Sequence, residues 1–170
     1  MAPDKSTLAR THAAELTAMA RDVVAVNRYF VLGTIGSDGA PRVSPVYFNH
    51  FEHRVYYWVS SPDSQHSRNI AAEPRVNAVI FDSSVPPPET RAVYLTGTAY
   101  VVPSDDLEAE IPRAFTQSTS QGARAFSVEE LSGAGDLRLY RLDVSRAEVH
   151  ARGGHPSWGM GIDTRLPVTL

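Results

Sequence analysis

Cysteine is absent from the 170 residues of this chain, and lysine occurs once, at Lys5, while all other cationic side chains are arginines. Without cysteine, the sequence excludes disulfides, iron–sulfur clusters, thiolate metal sites and cysteine nucleophiles. With a single lysine near the start, it offers no Schiff-base lysine in the body of the chain. A bound anion must therefore be held by arginine, histidine, hydroxyl groups or backbone amides.

Strong positive charge and long apolar runs are also lacking. Lys and Arg number 16 against 19 Asp and Glu, a formal net charge of -3, which argues against nucleic-acid binding. No apolar run approaches the roughly 20 residues needed to cross a bilayer, and residues 1–10 lack the apolar region of a secretory signal. We therefore expect a cytoplasmic protein with no membrane partner.

Several familiar catalytic motifs are missing: the P-loop, the GxSxG nucleophile elbow and the HExxH zinc motif. The glycines Gly33, Gly36 and Gly39 have the spacing of a hairpin and not that of a dinucleotide-binding loop. His50 and His53 fall on a predicted turn, and a metal would need a third ligand from elsewhere. No metal site is predicted.

The composition, 42% hydrophobic and 21% charged, is that of an ordinary globular domain. We predict one domain over residues 1–170, with an N-terminal helix in 1–27 and a C-terminal tail at 151–170. Apolar residues at helical spacing predict the helix over about 6–26. Strands are predicted over 29–35, 42–48, 54–60, 75–82, 91–102 and 136–150, with short helices over 64–72 and 104–117. Short returns between these strands indicate a mainly β fold, a small antiparallel barrel with helical additions. Gly97 is predicted to mark a bulge.

A run of hydroxyl and cationic side chains follows the third predicted strand. Ser60 and Ser61 end that strand, and His66, Ser67 and Arg68 fall in the first turns of the next helix. The free amides of a helix N-terminus attract anions, and hydroxyls with cations suit a phosphate monoester. A capped surface helix whose polar residues face water explains the same run, so the residues alone leave both interpretations open.

Three segments follow one another in the chain: GTIGSDGAPRVSPVYF at 33–48, VYYWVSS at 55–61 and HSRNIAAEPRV at 66–76. In order and spacing they resemble the pyridoxamine 5'-phosphate oxidase-like superfamily of FMN-binding split β-barrels. The resemblance runs from about residue 30 to residue 102, and more weakly to residue 150. It implies a six-stranded split barrel that forms a homodimer and holds FMN in a groove between the subunits.

The resemblance also implies which residues bind the cofactor. The strand at 43–47 lies along the flavin ring, Ser60 and Ser61 hold the phosphate, and Arg91 lies near the flavin edge. His66 stands where the family usually has Lys or Arg, which makes the affinity for phosphate lower or pH-dependent. Trp158 resembles part of a C-terminal family block. The full predicted set is Val43, Ser44, Pro45, Val46, Tyr47, Val59, Ser60, Ser61, Gln65, His66, Ser67, Arg68, Asn69, Arg91 and Trp158.

The function this favours is a flavin-dependent oxidoreductase that transfers a hydride to or from a small organic substrate, with no catalytic residue assigned. One alternative is a reductase that uses the deazaflavin coenzyme F-420, with Arg28, Arg54 and Arg75 as additional cations. Another is a non-catalytic binder of flavin or haem, with His150 and His155 as candidate haem residues. A barrel that has lost its cofactor also remains open. The stretch at 118–135 is predicted to be a loop or a lid.

Overall fold

The fold is described by a computed structural model that covers residues 5–120, 124–133 and 135–170. The helices in this part of the chain are α1 (Lys5–Val26), α2 (Gln65–Ala72), α3 (Leu107–Ser120) and α4 (Val128–Leu131). The strands are β1 (Tyr29–Ile35), β2 (Pro41–Tyr47), β3 (Asn49–Phe51), β4 (Val55–Ser60), β5 (Arg75–Phe81), β6 (Ala92–Val101), β7 (Arg138–Ala151) and β8 (Thr164–Val168). They form one antiparallel sheet in the order β2-β1-β5-β6-β7-β4-β3, with β8 paired to β7. The predicted fold class, a mainly antiparallel β structure with helical additions, is confirmed.

The long strand β7 is where the sheet divides. One of its edges pairs with β4 along its first half and with β8 along its second half. On its other edge, the register of β6 shifts between Thr96 and Gly97. A Cβ atom at Gly97 would lie 2.1 Å from the carbonyl oxygen of Asp143, so this close approach needs glycine. The bulge predicted at Gly97 is therefore confirmed, and such a bulge bends the sheet into a split barrel.

Alternation along β4 divides the core in two. Tyr56 and Trp58 face the larger core, which lies inside the sheet, while Tyr57 faces a smaller core under α3. The larger core also contains buried residues of α1 and the central strands: Leu16, Ala20, Val23, Phe30, Leu32, Val76, Ala78, Ile80, Val93 and Leu95. Each apolar face thus has its own helical cover.

The helix α1 begins one residue before its predicted start and ends where predicted, at Val26. Leu16, Ala20 and Val23 recur at helical spacing and are buried against the sheet. In the part of the chain that the structure describes, no helix is both long enough and apolar enough to cross a membrane.

The sheet contains more strands than the six predicted. Residues 49–51, predicted to be part of a turn, pair with β4 as β3, and the turn lies one step later at Glu52 and His53, both at positive φ. Residues 164–168, predicted to be part of the tail, pair with β7. The stretch at 118–135 contains α4, which begins with a capping box between Ser127 and Glu130. Residues 121–123 and 134 of that stretch lie outside the described residues.

Candidate functional site

The helix α2 begins next to the end of β4 because its first turn is well capped. Ser64 is the N-cap, with its backbone extended and its Oγ accepting a hydrogen bond from the Ser67 amide. The buried Asn69 donates from Nδ2 to Thr34 Oγ1 of β1 at 2.9 Å. This bond and the buried Ile70 dock α2 on the sheet. The N-terminus of α2 is therefore held in a fixed position beside Ser60.

Four polar side chains meet at this helix start: Ser60, Ser64, His66 and Ser67, which we call the serine–histidine cluster. His66 Nε2 lies 2.9 Å from Ser60 Oγ and 3.1 Å from Ser64 Oγ, and the two hydroxyl oxygens are 3.2 Å apart. Ser64 Oγ donates to Ser67 Oγ at 2.7 Å. The cluster gathers hydroxyls and an imidazole beside first-turn amides that have no intrahelical partner. This is the chemistry of an anion site.

Burial sets the charge of this cluster. The half-buried His66 has its pKa lowered by desolvation, so the imidazole is neutral at pH 7. Tyr140 of β7 lies near Ser67 and stacks on Trp58 with ring centroids 5.5 Å apart, and burial raises its pKa. Arg68 is exposed and donates to the carbonyl of Asp63. At neutral pH the attraction for an anion therefore comes from helix amides and hydroxyls and not from a charged His66.

The remaining predicted residues of this segment surround the cluster. Ser61 Oγ accepts from the Asp63 amide at 3.2 Å, and Gln65 Nε2 donates to Asn69 Oδ1 at 2.9 Å. Val59, the residue before Ser60 in β4, is half-buried and packs against the smaller core under α3. The structure therefore brings the predicted residues from Ser60 to Asn69 together at the start of α2, whereas Val59 faces the other core.

The strand β2 lies at one end of the sheet and packs beside α2. Within the described residues it pairs with β1 alone, so its outer backbone edge carries no strand. Val43 is 73% exposed, and Pro45 lacks an amide hydrogen on this edge strand. Tyr47 packs edge-on against Tyr29, with ring centroids 5.6 Å apart. The segment predicted to lie along the flavin ring, residues 43–47 with Ser44 and Val46, thus offers an open backbone edge next to the cluster.

Arg91 and Trp158 lie elsewhere. They line a cavity of about 660 Å³ between α1, the β5–β6 connection and the C-terminal loop, and Ser60 is not part of its wall. Ser60 pairs with Arg138 at the start of β7, whereas Arg91 precedes the β6 residues that pair with the other end of β7. At ~3.3 Å per residue, roughly 35 Å of strand separates the two places. A single chain does not bring Arg91 and Trp158 to the serine–histidine cluster.

The histidines proposed for haem also line this cavity, which we call the α1 cavity. His155 stacks on Trp158 with ring centroids 3.7 Å apart, and its Nδ1 accepts from the Ser157 amide at 3.2 Å. The neutral ring must then carry its proton on Nε2, which leaves neither nitrogen with a free lone pair for iron. His150 Nε2 lies 3.5 Å from Asp163 Oδ2. His155 as held here does not fit an iron ligand.

The His50 and His53 rings stack at 4.2 Å on the β3–β4 turn, and burial lowers the pKa of His50 to about 4. Among the described residues, no three His, Cys, Asp or Glu side chains are grouped so as to hold a metal ion. His50 also packs against Tyr56 of the larger core, with ring centroids 5.8 Å apart. In this structure the imidazole rings of His50 and His53 pack against each other at the β3–β4 turn.

In the sequence, Asp63 and Ser64 are both candidates for the N-cap of this helix, and the structure selects Ser64. The place of Ser64 in the cluster and the nearness of Tyr140 were not predicted. The place of Ser64 could have been predicted from the sequence, because an N-cap hydroxyl that closely follows two serines at a strand end lies at the same helix start. The nearness of Tyr140 could not, because Tyr140 approaches Ser67 only through the pairing of β7 with β4.

Comparisons with known proteins agree with the fold described above. A family model described as pyridoxamine 5'-phosphate oxidase matches residues 16–151. Among solved structures, a haem-binding protein from Mycobacterium smegmatis is 21% identical with a TM-score of 0.63. The match covers 89% of this chain and 57% of the mycobacterial chain. An FAD-binding protein from Mesorhizobium loti is 16% identical with a TM-score of 0.58, covering 78% of this chain and 91% of its own.

An F-420 reductase is 18% identical with a TM-score of 0.54, covering 75% of this chain and 94% of its own. At these identities the structures share the fold. The chain spans little more than half the length of the mycobacterial protein. A search of curated proteins finds no matching sequence.

Proposed function

We propose, because this chain belongs to the pyridoxamine 5'-phosphate oxidase family, that it is an FMN-dependent oxidoreductase acting on a small organic substrate. The observation that carries the proposal is the serine–histidine cluster at the N-terminus of α2. Its oxygen and nitrogen atoms lie 2.7 to 3.2 Å from one another. Hydroxyl and amide donors held this closely suit the oxygens of a phosphate monoester.

The adjacent strand β2 supports a ring-binding role. Its open edge presents backbone groups, and Val43 gives it an exposed apolar side chain. Ser60 and Ser61 would bind the phosphate while the backbone at 43–47 holds the ring. The flavin, when bound, supplies the hydride chemistry at its N5 position. The chain's part is to bind, orient and shield that ring.

The separation of Arg91 and Trp158 from the cluster supports a homodimer. If both groups contact one flavin, the second must come from another copy of the chain. Three apolar side chains of β1 and β2 are exposed and available for such a contact: Tyr29, Ile35 and Val43. The proposed FMN site is therefore shared between two subunits.

The two alternative cofactors receive less support. Arg75, one of three cations suggested for the anionic tail of F-420, is already paired with Glu73 at 2.7 Å. Arg54 lines a separate cavity with Phe51 and Arg113. For haem, the tautomer imposed on His155 is unfavourable. FMN is the cofactor that the geometry supports best.

The test is an FMN titration followed by absorption, with bands near ~375 and ~450 nm expected for the protein-bound oxidised flavin. In Ser60→Ala/Ser61→Ala, the affinity for FMN should fall by about 100-fold or more, since each charge-assisted hydrogen bond contributes ~1.5–3 kcal/mol. Riboflavin, which has no phosphate, should bind both proteins equally. Ser104→Ala, an exposed serine before α3, is the matched control. Unchanged FMN affinity in the double variant would refute the phosphate assignment.

A further inference from the structure

In the structure, the donors of the serine–histidine cluster are directed at one another. Ser64 gives its hydroxyl proton to Ser67 and accepts from the Ser67 amide. His66 Nε2 contacts both Ser60 Oγ and Ser64 Oγ. The imidazole therefore occupies the position between two hydroxyls that a phosphoryl oxygen would need. A phosphate cannot bind to both hydroxyls until these contacts are broken.

We propose that a phosphomonoester dianion binds here by displacing the contacts of His66 with Ser60 and Ser64, and that the imidazole takes up one proton from solvent as it does so. The freed Ser60 hydroxyl then donates to a phosphate oxygen while Ser64 keeps its donation to Ser67, and the imidazolium carries a proton on both ring nitrogens. The inference rests on the proposed function, since it concerns the same site. On this proposal, His66 is not a permanent cation; it becomes charged only when the phosphate binds.

The electrostatic argument compares the free and the occupied site. In the free site, burial lowers the pKa of His66 and the ring is neutral at pH 7. A dianion in contact with the ring favours the charged form of the imidazole and therefore raises the pKa of His66. Protonation of His66 and binding of the phosphate therefore favour each other. A ligand without phosphate binds with the same affinity whether or not His66 is protonated.

The arginines around α2 are already engaged. Arg68 donates to the Asp63 carbonyl, and Arg138 donates to the carbonyls of Gly133, Gly135 and Leu137. Arg42 of β2 is paired with Asp38 at 2.7 Å. The ionisable groups on the neighbouring elements are Tyr29, Arg42, Tyr47, Asp63, Arg68, Tyr94, Tyr100, Arg138 and Tyr140. His66 differs from these cations in already touching the cluster hydroxyls.

The sign of the pH dependence follows from the linkage. The occupied site has the higher His66 pKa, so the extra affinity is fully present below the free-site pKa and is lost as pH rises through the occupied-site pKa. Above pH 7, the affinity for FMN should fall by up to about tenfold per pH unit. The affinity for riboflavin should not change over the same range.

Calorimetry measures the proton directly. FMN is titrated into the full chain at pH 7 in two phosphate-free buffers of different ionisation enthalpy, and the difference in heat gives the protons exchanged. We expect uptake of roughly 0.5–1 proton per FMN bound. His66→Gln, which keeps a neutral polar group, should abolish the uptake. His53→Asn is the matched control, because His53 is another half-buried histidine with a lowered pKa, far from α2 in the fold.

The outcomes separate the inference from the function on which it rests. FMN binding without proton uptake would overturn the inference and leave the proposed function standing. If inorganic phosphate binds with proton uptake that is lost in His66→Gln, and FMN does not bind, the inference is supported and the proposed function is overturned. If neither binds, both are overturned. If His66→Gln does not fold, the His66 pKa measured by NMR in the parent protein decides: a rise of about one unit with FMN supports the inference, and no change overturns it.

Discussion

The serine–histidine cluster and the α1 cavity are two polar sites built in opposite ways. The cluster comes from one short segment around the start of α2, and each of its side chains bonds to a neighbour within seven positions. The α1 cavity joins four segments that are far apart in sequence: α1, the β5–β6 connection, the end of β7 and the C-terminal loop. A site of the first kind can be recognised in a sequence, whereas one of the second kind depends on the fold.

The two sites also differ in charge. The wall of the α1 cavity contains the carboxylates of Glu15, Asp22, Asp82 and Glu89 together with Arg91 and Arg152. The cluster contains hydroxyls, a neutral imidazole and helix amides, with no carboxylate among its bonded groups. A phosphate dianion is repelled by carboxylates and stabilised by amides and hydroxyls. The difference supports the cluster, and not the α1 cavity, as the proposed phosphate site.

The largest expected effect tests whether the two sites meet across a dimer. One variant carries Ser60→Ala/Ser61→Ala and the other Arg91→Ala/Trp158→Leu, and each alone should bind FMN about 100-fold more weakly. A hybrid dimer, isolated through two different affinity tags, has one site with both sets of parent residues. It should bind one FMN with the parent affinity, measured by flavin absorption and fluorescence titration.

The control is a dimer in which both copies carry all four substitutions, and this dimer should bind no FMN. Failure of the mixed hybrid to regain any FMN would contradict a site shared between subunits. Normal FMN binding by Arg91→Ala/Trp158→Leu alone would separate the α1 cavity from the flavin altogether.

A smaller effect is expected from undocking the cluster. Asn69→Ala removes the buried bond to Thr34 Oγ1 and should destabilise the protein by about 2 kcal/mol, because a buried hydroxyl loses its partner. FMN affinity should fall as well, since the start of α2 is no longer held in position. Urea unfolding and the FMN titration measure the two effects. Asn77→Ala, which removes a similar but exposed bond to Thr96, should cost less than about 0.5 kcal/mol. Equal losses in the two variants would argue against the docking role.

The smallest effect concerns the α1 cavity by itself. Trp158→Leu removes the stack on His155 and should lower the free energy of unfolding by about 1 kcal/mol, the usual contribution of an aromatic pair. Binding of inorganic phosphate, measured by calorimetry, should not change. Loss of phosphate binding in this variant would mean that the cavity and the cluster act on the same ligand group.

The parts of the fold that could be predicted are those with a local cause. The helix predicted over 64–72 has a local cause, since Asp63 and Ser64 are both capping residue types and Pro74 follows; the structure uses Ser64 as the N-cap of α2. The bulge at Gly97 was predicted because a glycine inside a β-branched strand is unusual. The strand predicted over 42–48 contains Pro45 and follows Pro41, and prolines in a strand favour an edge position; in the structure it is the edge strand β2.

The parts that could not be predicted depend on distant partners. β3 reads as a turn because Asn49 and His50 are polar, yet pairing with Tyr57 and Tyr56 makes it a strand. β8 has only five residues, and its hydrogen bonds exist only because β7 extends past β4. Short strands have weak periodicity, so the sheet and not the segment decides their state.

By itself, the sequence determined which groups are available to hold an anion and where they lie on the chain. Hydroxyls and an imidazole at a helix start follow from residue type and helix capping, which act within a few residues. Only the tertiary structure decided that Tyr140 lies near Ser67, and that Arg91 and Trp158 lie at the far end of β7. Those relations come from strand pairing across the sheet, and no local pattern encodes the distance between residues that meet only when the sheet closes.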